Sequence, residues 1–139
     1  MLRVLIVDDN PMVRCLLRVL VKNENTYAET TEAHSVEKAL FFLAGNKYDL
    51  IFLDHELPDG NGWEIADIIS LEPEKFGKPK IIAMTGSAFS EDVEVRRKNF
   101  SRFIKKPFDI GEIMPLINES CEKDRKTNYY GNKDLQKQE

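Results

Sequence analysis

The chain opens on a short apolar run, "VLIV" at residues 4–7, that stops abruptly at two acids, Asp8 and Asp9. Further along, short apolar stretches bounded by polar turns alternate with longer segments whose apolar residues recur every three or four positions. That alternation predicts βα repeats wound around a parallel sheet. Strands are expected over residues 3–7, 27–33, 50–53, 80–84 and 102–105. Pro11 suits the first turn of a helix that follows Asp9 or Asn10, and Met12, Leu16, Val19 and Leu20 then form an apolar stripe. Ser35 is placed to cap a second helix, which carries Ala39, Leu40 and Leu43 and ends at Gly45.

A third helix should begin near Gly62 and bury Ile65, Ala66 and Ile69, while "SEDVEV" from Ser90 offers a cap and early acids to a fourth. Asp109 and Glu112 have the spacing of a capping pair for a fifth. Pro115 lies about two turns into that last helix, where a proline costs roughly 3 kcal/mol in a straight helix. A kink is expected there, with Gly111 one turn earlier relieving the clash. Beyond residue 122 apolar periodicity ends and charges of both signs mix, so the sequence divides into a domain over 1–122 and a flexible polar tail over 123–139.

With 139 residues, 42% hydrophobic and 32% charged, the chain has the composition of one soluble domain. Its formal charge of -4 disfavours direct nucleic-acid binding. The opening apolar run is too short for a signal peptide and no segment has membrane-spanning length, so a cytoplasmic protein without membrane contact is expected. Cys15 and Cys121 stand apart from any zinc-like spacing and are expected to be free thiols.

In a doubly wound sheet the carboxyl ends of the strands open onto one edge, where residues from distant parts of the chain meet. That rule collects Asp8 and Asp9 after the first strand, Asp54 after the third, Thr85 after the fourth and Lys106 after the fifth. Alone, each has an ordinary reading as a cap, a turn hydroxyl or a surface lysine. Together they do not: two carboxylates about 4 Å apart repel by roughly 4 kcal/mol at an effective dielectric near 20, whereas a cap contributes about 1 kcal/mol. Three acids gathered at one edge call for a cation. An all-oxygen set with room for phosphate suits Mg²⁺. A carboxylate flanked by a divalent ion, an ammonium and a hydroxyl is then suited to phosphoryl transfer.

The motifs "VLIVDDNP", "DLIFLDHELPDGNGWE", "IIAMTGSA" and "FIKKPFD", in this order and spacing, resemble a receiver domain of a two-component response regulator over residues 2 to 122. The resemblance implies a flavodoxin-like fold with five parallel strands in the order 2-1-3-4-5. It implies that Asp54 accepts a phosphoryl group, that Asp8, Asp9, Asp54 and the Glu56 backbone carbonyl hold Mg²⁺, and that Lys106 pairs with the acceptor ahead of a cis Pro107. Thr85 becomes the switch hydroxyl and Phe103 the aromatic switch, in place of the commoner tyrosine. Glu56 and Ser87 occupy the positions that tune phosphoryl lifetime.

Other departures from the family pattern are Leu57 for a frequent Met, and Asn99 and Phe100 for a usual Gly-Ala pair. His55 is expected to face away from the acceptor, His34 to lie in a turn, Trp63 to pack near the acceptor loop, and Arg96 to Lys98 to form a solvated face.

The implied partners are a sensor histidine kinase or histidine phosphotransfer protein and a downstream protein effector reached through the fourth helix, fifth strand and fifth helix. A chemotaxis-type, stand-alone receiver is expected, with no enzymatic turnover beyond self-catalysed phosphoryl transfer and slow autodephosphorylation. A phosphohydrolase of the haloacid dehalogenase type needs a second Asp where Glu56 stands. A flavin site would need a phosphate loop where "DDNP" stands.

Overall fold

Val4 to Val7 and Leu50 to Leu53 carry no polar side chain, the pattern of strands covered on both faces, and all eight residues are fully buried. In the computed structural model, which describes residues 1–86 and 91–122, these runs are the centre of a five-stranded parallel sheet. The strands are β1 (Arg3–Val7), β2 (Glu29–Ala33), β3 (Leu50–Asp54), β4 (Lys80–Thr85) and β5 (Arg102–Lys105). Their order is β2-β1-β3-β4-β5, as expected for the flavodoxin-like arrangement. The helices are α1 (Pro11–Glu24), α2 (Val36–Gly45), α3 (Glu64–Leu71), α4 (Glu91–Arg96) and α5 (110–122).

Alternate strand residues feed opposite layers. Leu5, Val7, Ile51 and Leu53 pack with Ala39 and Leu43 of α2 and Ile65, Ala66 and Ile69 of α3. Val4, Ile6, Leu50 and Phe52 pack with Leu17, Leu20 and Val21 of α1 and Ile113, Ile117 and Cys121 of α5. The period-two alternation thus produces the doubly wound topology.

Several elements differ from expectation. β2 begins at Glu29 because Tyr27 is 85% exposed and the Ala28 N–H turns back to the Asn25 carbonyl. β3 and β4 each run one residue further, through Asp54 and Thr85, so both site residues end paired strands. On α1 the buried stripe is Leu17, Leu20 and Val21, while Met12 and Val19 face outward. α3 starts at Glu64, two residues late, since Gly62 is engaged in a turn against β3. Two short elements were not expected: a hairpin pairing Glu56–Leu57 with Gly60–Asn61, and a helical turn at Pro73–Phe76.

α5 continues through Pro115. Gly111 and Pro115 are both exposed, so water can take the bond that the proline cannot make. The caps expected at Ser90 and the proposed tail over 123–139 lie outside the described residues.

α2 has two caps. Ser35 Oγ accepts from the Lys38 N–H at 3.1 Å, as the sequence suggests, and the Asp59 carboxylate accepts from Val36 and Glu37 at 2.9 and 3.0 Å. The backbone donors of Glu37 and Val36 hold the Asp59 carboxyl below its ordinary value. Asp59→Ala should speed hydrogen exchange at the Val36 and Glu37 amides. The same loss should appear in the native protein as pH falls through the lowered Asp59 value, because protonation removes the charge those amides favour.

Candidate functional site

The ends of the strands bring the expected residues to one edge. Asp8 and Asp9 follow β1, Asp54 ends β3, Thr85 ends β4 and Lys106 follows β5. Asp8, Asp9 and Asp54 each place a carboxylate oxygen within 4.8 Å of the others. Asp8 and Asp54 are buried and Asp9 is exposed, so the cluster opens to solvent through Asp9. Lys106 Nζ donates to Asp8 Oδ2 and stands 3.2 Å from Asp54 Oδ1. Asp8 Oδ1 accepts from the Asn10 N–H at 2.9 Å, and Asp54 Oδ1 accepts from the His55 N–H at 3.0 Å.

Electrostatics follow from this crowding. Burial, then the field of Asp8, pushes the Asp54 carboxyl from 3.8 up to about 6; Lys106 opposes the rise and Asp9 adds to it. For Lys106, burial disfavours the charge, yet the hydrogen bond to Asp8 and the field of Asp54 outweigh it and hold the ammonium above its usual value. Three carboxylates against one ammonium leave a net charge of about two negatives, which a divalent cation would balance. The clustered side-chain donors are all oxygens, so the residues fit a hard ion such as Mg²⁺.

Local sequence explains how Asp54 is held. A Cβ on Gly62 would sit 2.0 Å from the Asp54 carbonyl oxygen, so only glycine fits there, and the Gly62 N–H donates to the His55 carbonyl at 2.8 Å. The hairpin at Glu56–Leu57 immediately follows, with the Glu56 side chain exposed and Leu57 buried. Trp63 is fully buried and its Nε1–H donates to the Leu53 carbonyl at 3.2 Å. The His55 ring stacks on Trp63 at 4.0 Å between centroids, in keeping with an orientation away from the Asp54 carboxylate.

Thr85 is buried, and its carbonyl accepts from the Lys106 N–H at 2.7 Å. The Lys106–Pro107 bond is cis. Phe103 is half-buried. Ser87 lies outside the described residues.

The departures from the family pattern form contacts of their own. Phe100 packs 5.2 Å from both Trp63 and Phe103, and Trp63 meets Phe103 edge-on at 6.0 Å. Asn99 Nδ2 and Arg96 Nε donate to the two oxygens of Asp67 on α3, at 2.7 and 2.9 Å. Arg96, expected on a solvated face, is therefore a clamp between α3 and the end of α4. Each partner is some thirty residues from Asp67 in the chain, too far for any local pattern to reveal the pairing.

The fold and site define an α/β protein with an acidic crevice and an opposed lysine at its carboxyl sheet edge. Residues 4–118 match the family model of the response regulator receiver domain, and the chain belongs to that family of two-component signalling proteins. A similar solved structure is the CheY-like receiver domain protein of Methanospirillum hungatei, 24% identical, covering 91% of this chain and 98% of that one with a TM-score of 0.75. Another is the response regulator protein TrrA of Thermotoga maritima in complex with Mg(2+)-BeF, 30% identical, covering 86% and 99% with a TM-score of 0.70.

Among curated proteins, the sensory transduction protein LytT of Bacillus anthracis is 34% identical over 117 residues. The transcriptional regulatory protein LytR of Staphylococcus aureus is 32% identical over 117 residues. Each match covers 84% of this chain and 46% of the relative, so the chain spans about half the length of the curated relatives it matches.

Proposed function

We propose that Asp54 accepts a phosphoryl group from the phosphohistidine of a sensor histidine kinase or histidine phosphotransfer protein. Asp8, Asp9, Asp54 and the Glu56 carbonyl would hold Mg²⁺. The observation that carries this reading is the convergence of Asp8, Asp9 and Asp54 within 4.8 Å, with Lys106 reaching both Asp8 and Asp54. Bound Mg²⁺ supplies positive charge to the oxygens of the transferring group.

An Asp54 carboxylate oxygen attacks phosphorus; the phosphorus–nitrogen bond breaks and its electron pair leaves with the imidazole, which takes a proton from solvent. Lys106 balances the charge of the resulting acyl phosphate and Thr85 offers it a hydroxyl donor. Contacts made only with the phosphorylated site then favour one of two arrangements of Phe103, α4, β5 and α5, the face read by a downstream protein. The names of the LytT and LytR relatives support a place in sensory transduction to gene control. Among the described residues no helix is long and apolar enough to cross a membrane.

Incubation with acetyl phosphate and Mg²⁺, followed by intact mass measurement, tests the assignment. One added, base-labile phosphoryl group is expected in the native chain and none in Asp54→Ala or in the presence of EDTA. Labelling that persists in Asp54→Ala would move the acceptor elsewhere.

A further inference from the structure

Arg14 lies outside every motif that singled out the acid crevice, yet its side chain is only 17% exposed and points back to the start of α1. Its Nη1 donates to the Asp8 carbonyl at 2.7 Å and its Nε to Glu32 Oε1 at 3.2 Å. Arg18 Nη1 holds the other Glu32 oxygen at 2.7 Å, so β2 supplies a carboxylate that fixes both guanidinium groups. The Asp8 N–H donates to the Ala33 carbonyl at 3.0 Å. The Asp8 main chain is thus held on both sides, by the sheet ladder at its N–H and by Arg14 at its C=O.

That carbonyl belongs to the peptide plane shared by Asp8 and Asp9. The plane is rigid, so fixing its oxygen fixes the direction in which the Asp9 Cα leaves the strand. Asp9 is the exposed member of the acid trio and the one with fewest packing constraints. We propose that Arg14, oriented by Glu32, is a positioning residue for the metal-binding loop: it aims the Asp8–Asp9 peptide so that both carboxylates reach one ion. The inference rests on the reading of the acid trio as a Mg²⁺ site.

Two effects of Arg14 have opposite signs, which makes the test decisive. As a positive charge beside the trio it would weaken cation binding, and removing it would tighten binding. As a positioning group it strengthens binding, and removing it would loosen binding. Glu32 partly cancels the charge, so the positioning effect dominates.

Calorimetric Mg²⁺ titrations of the native chain, Arg14→Met, Arg14→Lys and Glu32→Gln separate the two, with urea unfolding run on each variant. Both Arg14 variants should bind Mg²⁺ about 10- to 100-fold more weakly, the range for lost outer-shell partners. Lysine does not rescue, because an ammonium cannot span Asp8 and Glu32 in a fork. Glu32→Gln should move in the same direction. Ser35→Ala, which removes the Lys38 cap of α2 and alters neither the acids nor the hairpin that carries Glu56, should retain native affinity and so excludes a general effect of instability.

Should Arg14→Met fail to fold, Arg14→Lys decides alone. Native or tighter binding in a folded Arg14 variant overturns the inference and leaves the Asp54 reading standing. A native chain that takes up no Mg²⁺ overturns both.

Discussion

Asp54→Asn will stabilise the ion-free protein by up to about 3 kcal/mol at neutral pH, an unusual outcome for a buried site. The reason is the rise of the Asp54 carboxyl from 3.8 to about 6, caused first by burial and then by Asp8. Between those values the folded state binds more protons than the unfolded one. Native stability therefore falls as pH rises through that window and levels off above about pH 6. The amide carries no charge and escapes the loss. Urea unfolding in EDTA should show the two proteins nearly equal below about pH 4, where Asp54 is neutral in both states, and the variant ahead by neutrality.

Mg²⁺ should reverse the ranking. An ion at 1,000 times its dissociation constant adds about 4.1 kcal/mol to a protein that binds it only when folded. The native chain keeps the full trio and should gain; Asp54→Asn, with one carboxylate missing, should gain little. Equal pH profiles for the two proteins would mean that the acids do not strain the fold.

Gly62→Ala will act in the other direction and through the backbone. Its Cβ would fall 2.0 Å from the Asp54 carbonyl oxygen and 2.9 Å from Leu57 Cδ1. The first of these is main chain in a paired strand and cannot swing aside. A cost of about 3 kcal/mol, at the upper end of ordinary overpacking, is expected in urea unfolding. Phosphoryl uptake from acetyl phosphate should fall as well, because the group that must shift carries the proposed acceptor, Asp54. Gly45→Ala is the control: a Cβ there meets nothing within 4 Å, and alanine in place of a helical glycine should gain up to about 1 kcal/mol. A Gly62→Ala protein as stable as that control would show that the hairpin yields freely.

The layout of the sheet was legible because residues 4–7 of β1 and 50–53 of β3 are apolar without interruption, the pattern of strands in a doubly covered parallel sheet. Given that sheet, the gathering of Asp8, Asp9, Asp54 and Lys106 follows from where the strands end. Side-chain partnerships between elements were much less so. Met12 and Val19 read as core because they share a helical spacing with Leu16 and Leu20, but the rotation of α1 is set by α5 and the sheet, which favour Leu17 and Val21. Arg14 finds Glu32 only because β2 lies beside β1, and Asp67 finds Arg96 and Asn99 only once α3 and α4 are packed. Such pairs are properties of the assembled fold rather than of any sequence window. Asn99 and Phe100 stood out only as departures; Asp67 on α3 supplied the physical reason for the first, and Trp63 and Phe103 for the second.

The grip of Asp67 on Arg96 and Asn99 sets a cost for moving the end of α4 away from α3. Swinging the end of α4 outward would surrender two charge-assisted hydrogen bonds on a carboxylate that is 40% exposed. At about 1 to 2 kcal/mol for such contacts, the latch favours the observed arrangement by roughly 5- to 30-fold. Were α4 to move in response to the proposed phosphorylation, the new contacts would have to supply at least that much.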